Sequence, residues 1–138
     1  MIELDEFDQG PRNIMNYGHS FGHAIESATK YKIPHGIAVS MGMDLANFVS
    51  REMGLSNGSF FKKMHNTLVK NYNLFSNCEV PLKPFFDSLS KDKKNTSTGL
   101  KLILPDNDKL FIDVYKNDSV FKEICSNFFL NTRINGKN

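Results

Sequence analysis

Only two cysteines, Cys78 and Cys125, occur in the 138 residues. They are too few and too far apart for a disulfide framework or a zinc ribbon, and they read as free thiols of a reducing compartment, with the cytoplasm as the expected location. No apolar run approaches the roughly 20 residues that a spanning helix needs, and no signal peptide opens the chain, so no membrane partner is expected. Charge of one sign is lacking as well. Lys and Arg number 17 against 15 Asp and Glu, a formal net charge of +2. That bias is too small, without an aromatic-interleaved basic stripe, to argue for nucleic acid. A GxGxxG or other Gly-rich phosphate loop is missing, and so is any internal repeat or low-complexity linker. What is present is 40% hydrophobic and 23% charged, the composition of a globular chain long enough for one core.

Against that background, the segment RNIMNYGHSFGHAIE stands out. Arg12, Asn16, His19 and His23 recur at helical spacing, within roughly a 60° arc at about 100° per residue. One face then carries a guanidinium, an amide and two imidazoles. Two histidines at i and i+4 can converge on one ion, and His35, just after Pro34, can begin the next element and close the site. A metalloprotease helix is excluded, since that chemistry wants Glu directly after the first His and Ser20 stands there. Gly18 and Gly22 lie four apart beside the stripe. Each costs about 1 kcal/mol relative to Ala in a helix, so they mark close approach of another backbone or of a ligand.

The patterning predicts mostly helix: from about Pro11 or Arg12 to Thr29, from just after Pro34 to about Met53 with Gly54 as C-cap, from Ser59 to Tyr72, and from Pro84 to Ser90. In the second, Val39, Met43, Ala46 and Val49 form an apolar stripe with Leu45 and Phe48 alongside. In the third, Phe60, Met64, Leu68 and Phe61 are expected inward, with His65 at the surface or partly buried and without a partner. Leu100–Leu104 and Lys109–Val114 read as two strands around the turn 105–108. A last helix is expected from Asp118 to Leu130, capped by Asp118 or Asn117. Residues 1–131 read as one domain and 132–138 as a frayed tail.

NIMNYGHSFGHAIES followed by PHGIAVSMGM resembles the C-terminal domain of the 3-dehydroquinate synthases, which read approximately R-x3-N-x-GHT-x-GHA-x-E and then HGEAVAIGM. DEFDQGPR resembles the family's lead-in, and KDKKN with LKLILP its DKK and LVLP segments. The resemblance covers Asp5 to about Val114 and extends to the wider class of sugar phosphate cyclases. It implies a mainly α, multi-helix domain with a small β-hairpin. It also implies His19 and His35 as ligands of zinc or cobalt, and His23 as a substrate-contacting, proton-transferring residue. Arg12, Asn16, Lys93 and Lys94 match substrate-binding positions. Residue spacing alone would put His19 and His23 on the same ion; the family pattern pairs His19 with His35.

The activity implied is conversion of 3-deoxy-arabino-heptulosonate 7-phosphate to 3-dehydroquinate with elimination of phosphate. The implied cofactors are a divalent metal and NAD. The NAD-binding domain, a glutamate metal ligand and a further substrate lysine are expected ahead of this sequence. The isolated chain is therefore expected to be inactive, with an apolar face able to form a homo-oligomer. One departure is Ile37, which replaces the family's glutamate and removes a possible acceptor for a metal-bound imidazole. It leaves open a sister cyclase of aminocyclitol or polysaccharide biosynthesis, beside a non-enzymatic metal-binding domain.

Overall fold

The computed structural model describes residues 2–3, 17–75, 78–91, 99–106, 109–116 and 118–132. Its elements are β1 (Ile2–Glu3), α1 (His19–Ala28), α2 (His35–Glu52), α3 (Gly58–Tyr72), α4 (Leu82–Lys91), β2 (Gly99–Asp106), β3 (Lys109–Lys116) and α5 (Ser119–Asn127). A 3-10 turn, Asn73–Phe75, follows α3, and a π turn, Phe128–Thr132, follows α5. The described structure is mainly helical, as expected.

α2 is the central element. It packs against α1, α3, β2 and α5, and Ala38, Met41, Leu45, Ala46 and Val49 are wholly buried. Pro34 precedes it, where a missing N–H costs nothing, and its carbonyl accepts from Ala38 N–H at 2.8 Å. Gly54 follows it at φ +77°, in the left-handed region that glycine enters without penalty. Those two residues set the boundaries that the sequence suggested.

α1 and α2 form an antiparallel pair, because residue 18 faces residues 39 and 43 while residue 22 faces residues 38 and 39. A Cβ on Gly18 would stand 2.6 Å from the Met43 nitrogen and 2.7 Å from the Val39 oxygen. The glycines thus serve close backbone packing. This contact also corrects the first helix. Tyr17 and Gly18 form a turn and α1 starts at His19, because Gly18 is pressed against the backbone of α2 and glycine is a weak helix former. Residues 12–16 lie outside the described residues, so the four-residue stripe is described only for His19 and His23.

The other helices fall close to expectation, with Leu82–Lys91 longer by a few residues. Asp118 caps α5, accepting from Phe121 N–H at 3.0 Å. In α3, Phe61, His65, Leu68 and Tyr72 are buried and Met64 packs partly buried against the core, while the side chain of Phe60 lies outside the described residues. The hairpin β2–β3 pairs in register Ile103↔Ile112, and β1 adds a third strand through Ile2↔Ile112. Leu100, Leu102 and Leu104 alternate into the core. Phe21, Phe85, Phe121 and Phe129 interlock beneath α1, with Phe21 stacked on Phe85 at 6.2 Å and Phe85 edge-on to Phe129 at 5.0 Å. No described helix is long and apolar enough to cross a membrane. Of the expected tail, residues 133–138 lie outside the described residues.

Candidate metal centre

Three histidines meet where α1 faces the start of α2. His19 opens α1, His23 lies one turn on, and His35 opens α2. Their ring centroids are 5.5 Å apart for His19–His35, 5.9 Å for His19–His23 and 6.0 Å for His23–His35. Two imidazoles sharing a tetrahedral ion, with Zn–N of about 2.0–2.1 Å, place their centroids about 5 Å apart. The tightest pair, His19 with His35, comes nearest to that separation. The side chains of His23 and His35 are 69% and 56% exposed, so the cluster opens to solvent. Among the described residues, no group of three or more His, Cys, Asp or Glu is placed to hold a metal ion.

Under the histidines lies Glu26, buried at 7% exposure. His35 Nδ1 is 2.9 Å from its Oε1, a hydrogen bond, whereas His23 Nδ1 is 3.7 Å from the same oxygen, beyond hydrogen-bonding reach. Sequence reasoning missed this carboxylate. The signal was there, since Glu26 follows His19 by seven residues and His23 by three, which puts it on the same helix face. Ile37 is partly buried against the hydrophobic core. Its aliphatic side chain does remove an acceptor from α2, but α1 supplies one.

Arg12, Asn16, Lys93 and Lys94 lie outside the described residues. The structure therefore brings together His19, His23 and His35 of the expected set.

A second polar cluster is fully internal. Asp44 Oδ2 accepts from Tyr72 Oη–H at 2.5 Å and lies 2.6 Å from His65 Nδ1. His65 is 3% exposed and stacks on Phe61 at a centroid distance of 5.0 Å, which overturns its expected surface position. Tyr17 Oη–H donates to Asn47 Oδ1 at 3.1 Å. Burial pushes the Tyr17 phenol above its ordinary range; the Asn47 bond opposes this and the charge of Asp44 adds to it. Tyr17 stands two residues before His19, so this cluster anchors the chain where it enters the histidine site.

The chain matches the family described as 3-dehydroquinate synthase C-terminal over residues 1–95. The 3-dehydroquinate synthase of Helicobacter pylori (strain P12) is 36% identical over 106 residues, covering 76% of this chain and 31% of that protein. That of Campylobacter concisus (strain 13826) is 36% identical over 120 residues, covering 86% of this chain and 34% of that protein. The chain therefore spans about a third of the length of these curated relatives. A solved 2-deoxy-scyllo-inosose synthase, complexed with carbaglucose-6-phosphate, NAD+ and Co2+, shares the fold. Its TM-score is 0.68 at 22% identity, over 86% of this chain and 36% of that one. The extent of the family match and the identity to full-length relatives agree with the histidine motifs: the chain belongs to the 3-dehydroquinate synthase family, and corresponds to its C-terminal domain.

Proposed function

We propose that the chain is the metal- and substrate-binding part of a cyclase that converts 3-deoxy-arabino-heptulosonate 7-phosphate to 3-dehydroquinate with loss of phosphate. The observation that carries this is the His19–His35 pair, delivered by two helices to a 5.5 Å ring separation at the motif positions of a family to which the chain belongs. When bound, a divalent ion such as zinc or cobalt supplies Lewis-acid polarisation of a substrate hydroxyl, and NAD accepts and returns a hydride. His19 and His35 hold the ion. His23, exposed at the rim and outside hydrogen-bonding reach of Glu26, moves a proton to or from the substrate, a task suited to imidazole near neutrality. Arg12, with Lys93 or Lys94, complements the anionic groups of the substrate, and Asn16 its hydroxyls.

A zinc titration of the wild type against H19A, H23A and H35A tests the assignment. We expect H19A and H35A to lose most of the affinity and H23A to keep it. Wild-type affinity in H19A and H35A refutes the site. A sister cyclase acting on another sugar phosphate is the second reading, and Ile37 is the observation that favours it, since it alters the residue two positions from His35. Product analysis with several sugar phosphates, using the full-length protein, separates the two.

A further inference from the structure

We infer that Glu26 is a positioning residue that makes His35 a ligand and leaves His23 a proton carrier, by fixing the tautomer of one ring and not of the other. The inference rests on the metal reading above and deepens it. His23 and His35 are chemically identical and similarly exposed, and His35 lies the nearer to His19, at 5.5 Å against 5.9 Å. Spacing along the chain favours His23 as the partner of His19. What separates them further is a single oxygen, Glu26 Oε1, at 2.9 Å from His35 Nδ1 and 3.7 Å from His23 Nδ1.

An ionised carboxylate only accepts, so the short contact requires His35 Nδ1 to carry the proton. Its Nε2 then presents a lone pair, which is the form a metal takes. Free imidazole side chains favour the opposite tautomer, with the proton on Nε2, so the Glu26 bond selects the minor form in advance. The main chain that carries the carboxylate is fixed. Glu26 is buried, and its backbone carbonyl accepts from Tyr31 N–H at 2.8 Å and from the Thr29 hydroxyl at 3.3 Å. Pairing of a ligand histidine's second nitrogen with a carboxylate is the common arrangement around bound metals, and its loss costs about 10–100-fold in affinity. Ile37, two positions on, packs partly buried against the core and its aliphatic side chain offers no acceptor. His23 lacks such a bond and can rotate and exchange protons with substrate or water.

The test uses the 138-residue chain labelled with 15N at histidine, without metal, at a pH where the rings are neutral. Long-range proton–nitrogen correlation reads each tautomer. His35 should be found protonated on Nδ1 and His23 mainly on Nε2. Glu26→Ala should return His35 to the Nε2–H form and lower zinc affinity about 10–100-fold. Glu26→Gln keeps an acceptor without the charge, so it should retain the His35 tautomer and lose less affinity, which guards against an alanine variant that fails to fold. A wild-type His35 protonated on Nε2 overturns the inference with no variant needed. Loss of zinc binding in H19A and H35A, with E26A and E26Q unchanged, overturns it while the proposed function stands. Unchanged zinc binding in H19A and H35A, with the tautomer shift seen in E26A, instead overturns the metal site and leaves the Glu26–His35 bond supported.

Discussion

Tyr17 and Cys125 give the fold an alkaline limit. Burial raises the Tyr17 phenol above its ordinary 10.0, with the Asn47 bond opposing and Asp44 reinforcing; burial alone raises the Cys125 thiol above its ordinary 9.0. In both, the folded state keeps a proton that the unfolded chain gives up, so each contribution is intact below the unfolded pKa and is lost as pH rises beyond it. Urea midpoints should be level between about pH 7 and 8 and fall from about pH 9 upward. Cys125→Ala should flatten the first part of that fall and Tyr17→Phe the later part. Tyr17→Phe also loses the bond to Asn47, but that is an offset present at every pH. A slope unchanged in both variants would refute the assignment. Single residues were also where the sequence was least legible. His19, His23 and His35 declared themselves by spacing within one short stretch. Asp44, His65 and Tyr72 did not, since they lie 21 and 28 residues apart and meet only because α2 and α3 pack. The one local hint was a carboxylate set in the apolar run MGMDLANFV. Buried, it needs partners, and His65 is one of them.

At the level of elements, local chemistry marked boundaries well where the chain itself supplied the stop. Pro34 and Gly54 bracket α2, and Asp118 caps α5. It failed for the start of α1, which is set by the contact of Gly18 with α2, and for β1, whose two residues are too few to show a period. The α1–α2 contact yields a paired prediction. A Cβ at Gly42 would overlap the Gly18 carbonyl and stand 2.7 Å from the Gly22 nitrogen, whereas one at Gly36 would meet nothing within 4 Å. Gly42→Ala must push the helices apart and should cost about 1–3 kcal/mol. Gly36→Ala, only six positions earlier in the same helix, should be neutral or stabilising by up to about 1 kcal/mol. Chemical denaturation of the two variants checks this, and equal effects would contradict the packing. Zinc affinity should fall with Gly42→Ala alone, since the α1–α2 pair carries His19 and His35 on its separate helices.

For the whole molecule, what matters is how much of a catalyst these residues make up. The matched 3-dehydroquinate synthases are about three times as long as the part that this chain covers. The described residues bring His19, His23, His35 and Glu26 to one place, but no group of three or more His, Cys, Asp or Glu among them is placed to hold a metal ion. The family resemblance was legible because its motifs are dense in sequence; a site shared with another part of a protein leaves no such trace in this one. Orientation of reactants is worth roughly 7–11 kcal/mol of a barrier, and it requires the hydride acceptor to be held against the substrate. A polypeptide of these 138 residues, supplied with zinc and NAD, should therefore bind metal weakly and show no turnover of the seven-carbon acid phosphate. Phosphate release is the measurement, set against a buffer blank and a full-length relative assayed in parallel. Supplying a dinucleotide-binding domain from such a relative in trans should restore activity only if the two surfaces still fit. Release above the blank from the chain alone, abolished in His23→Ala, would show instead that these residues suffice for catalysis. The hydride acceptor would then have to be held by a surface of this chain that the fold has not revealed.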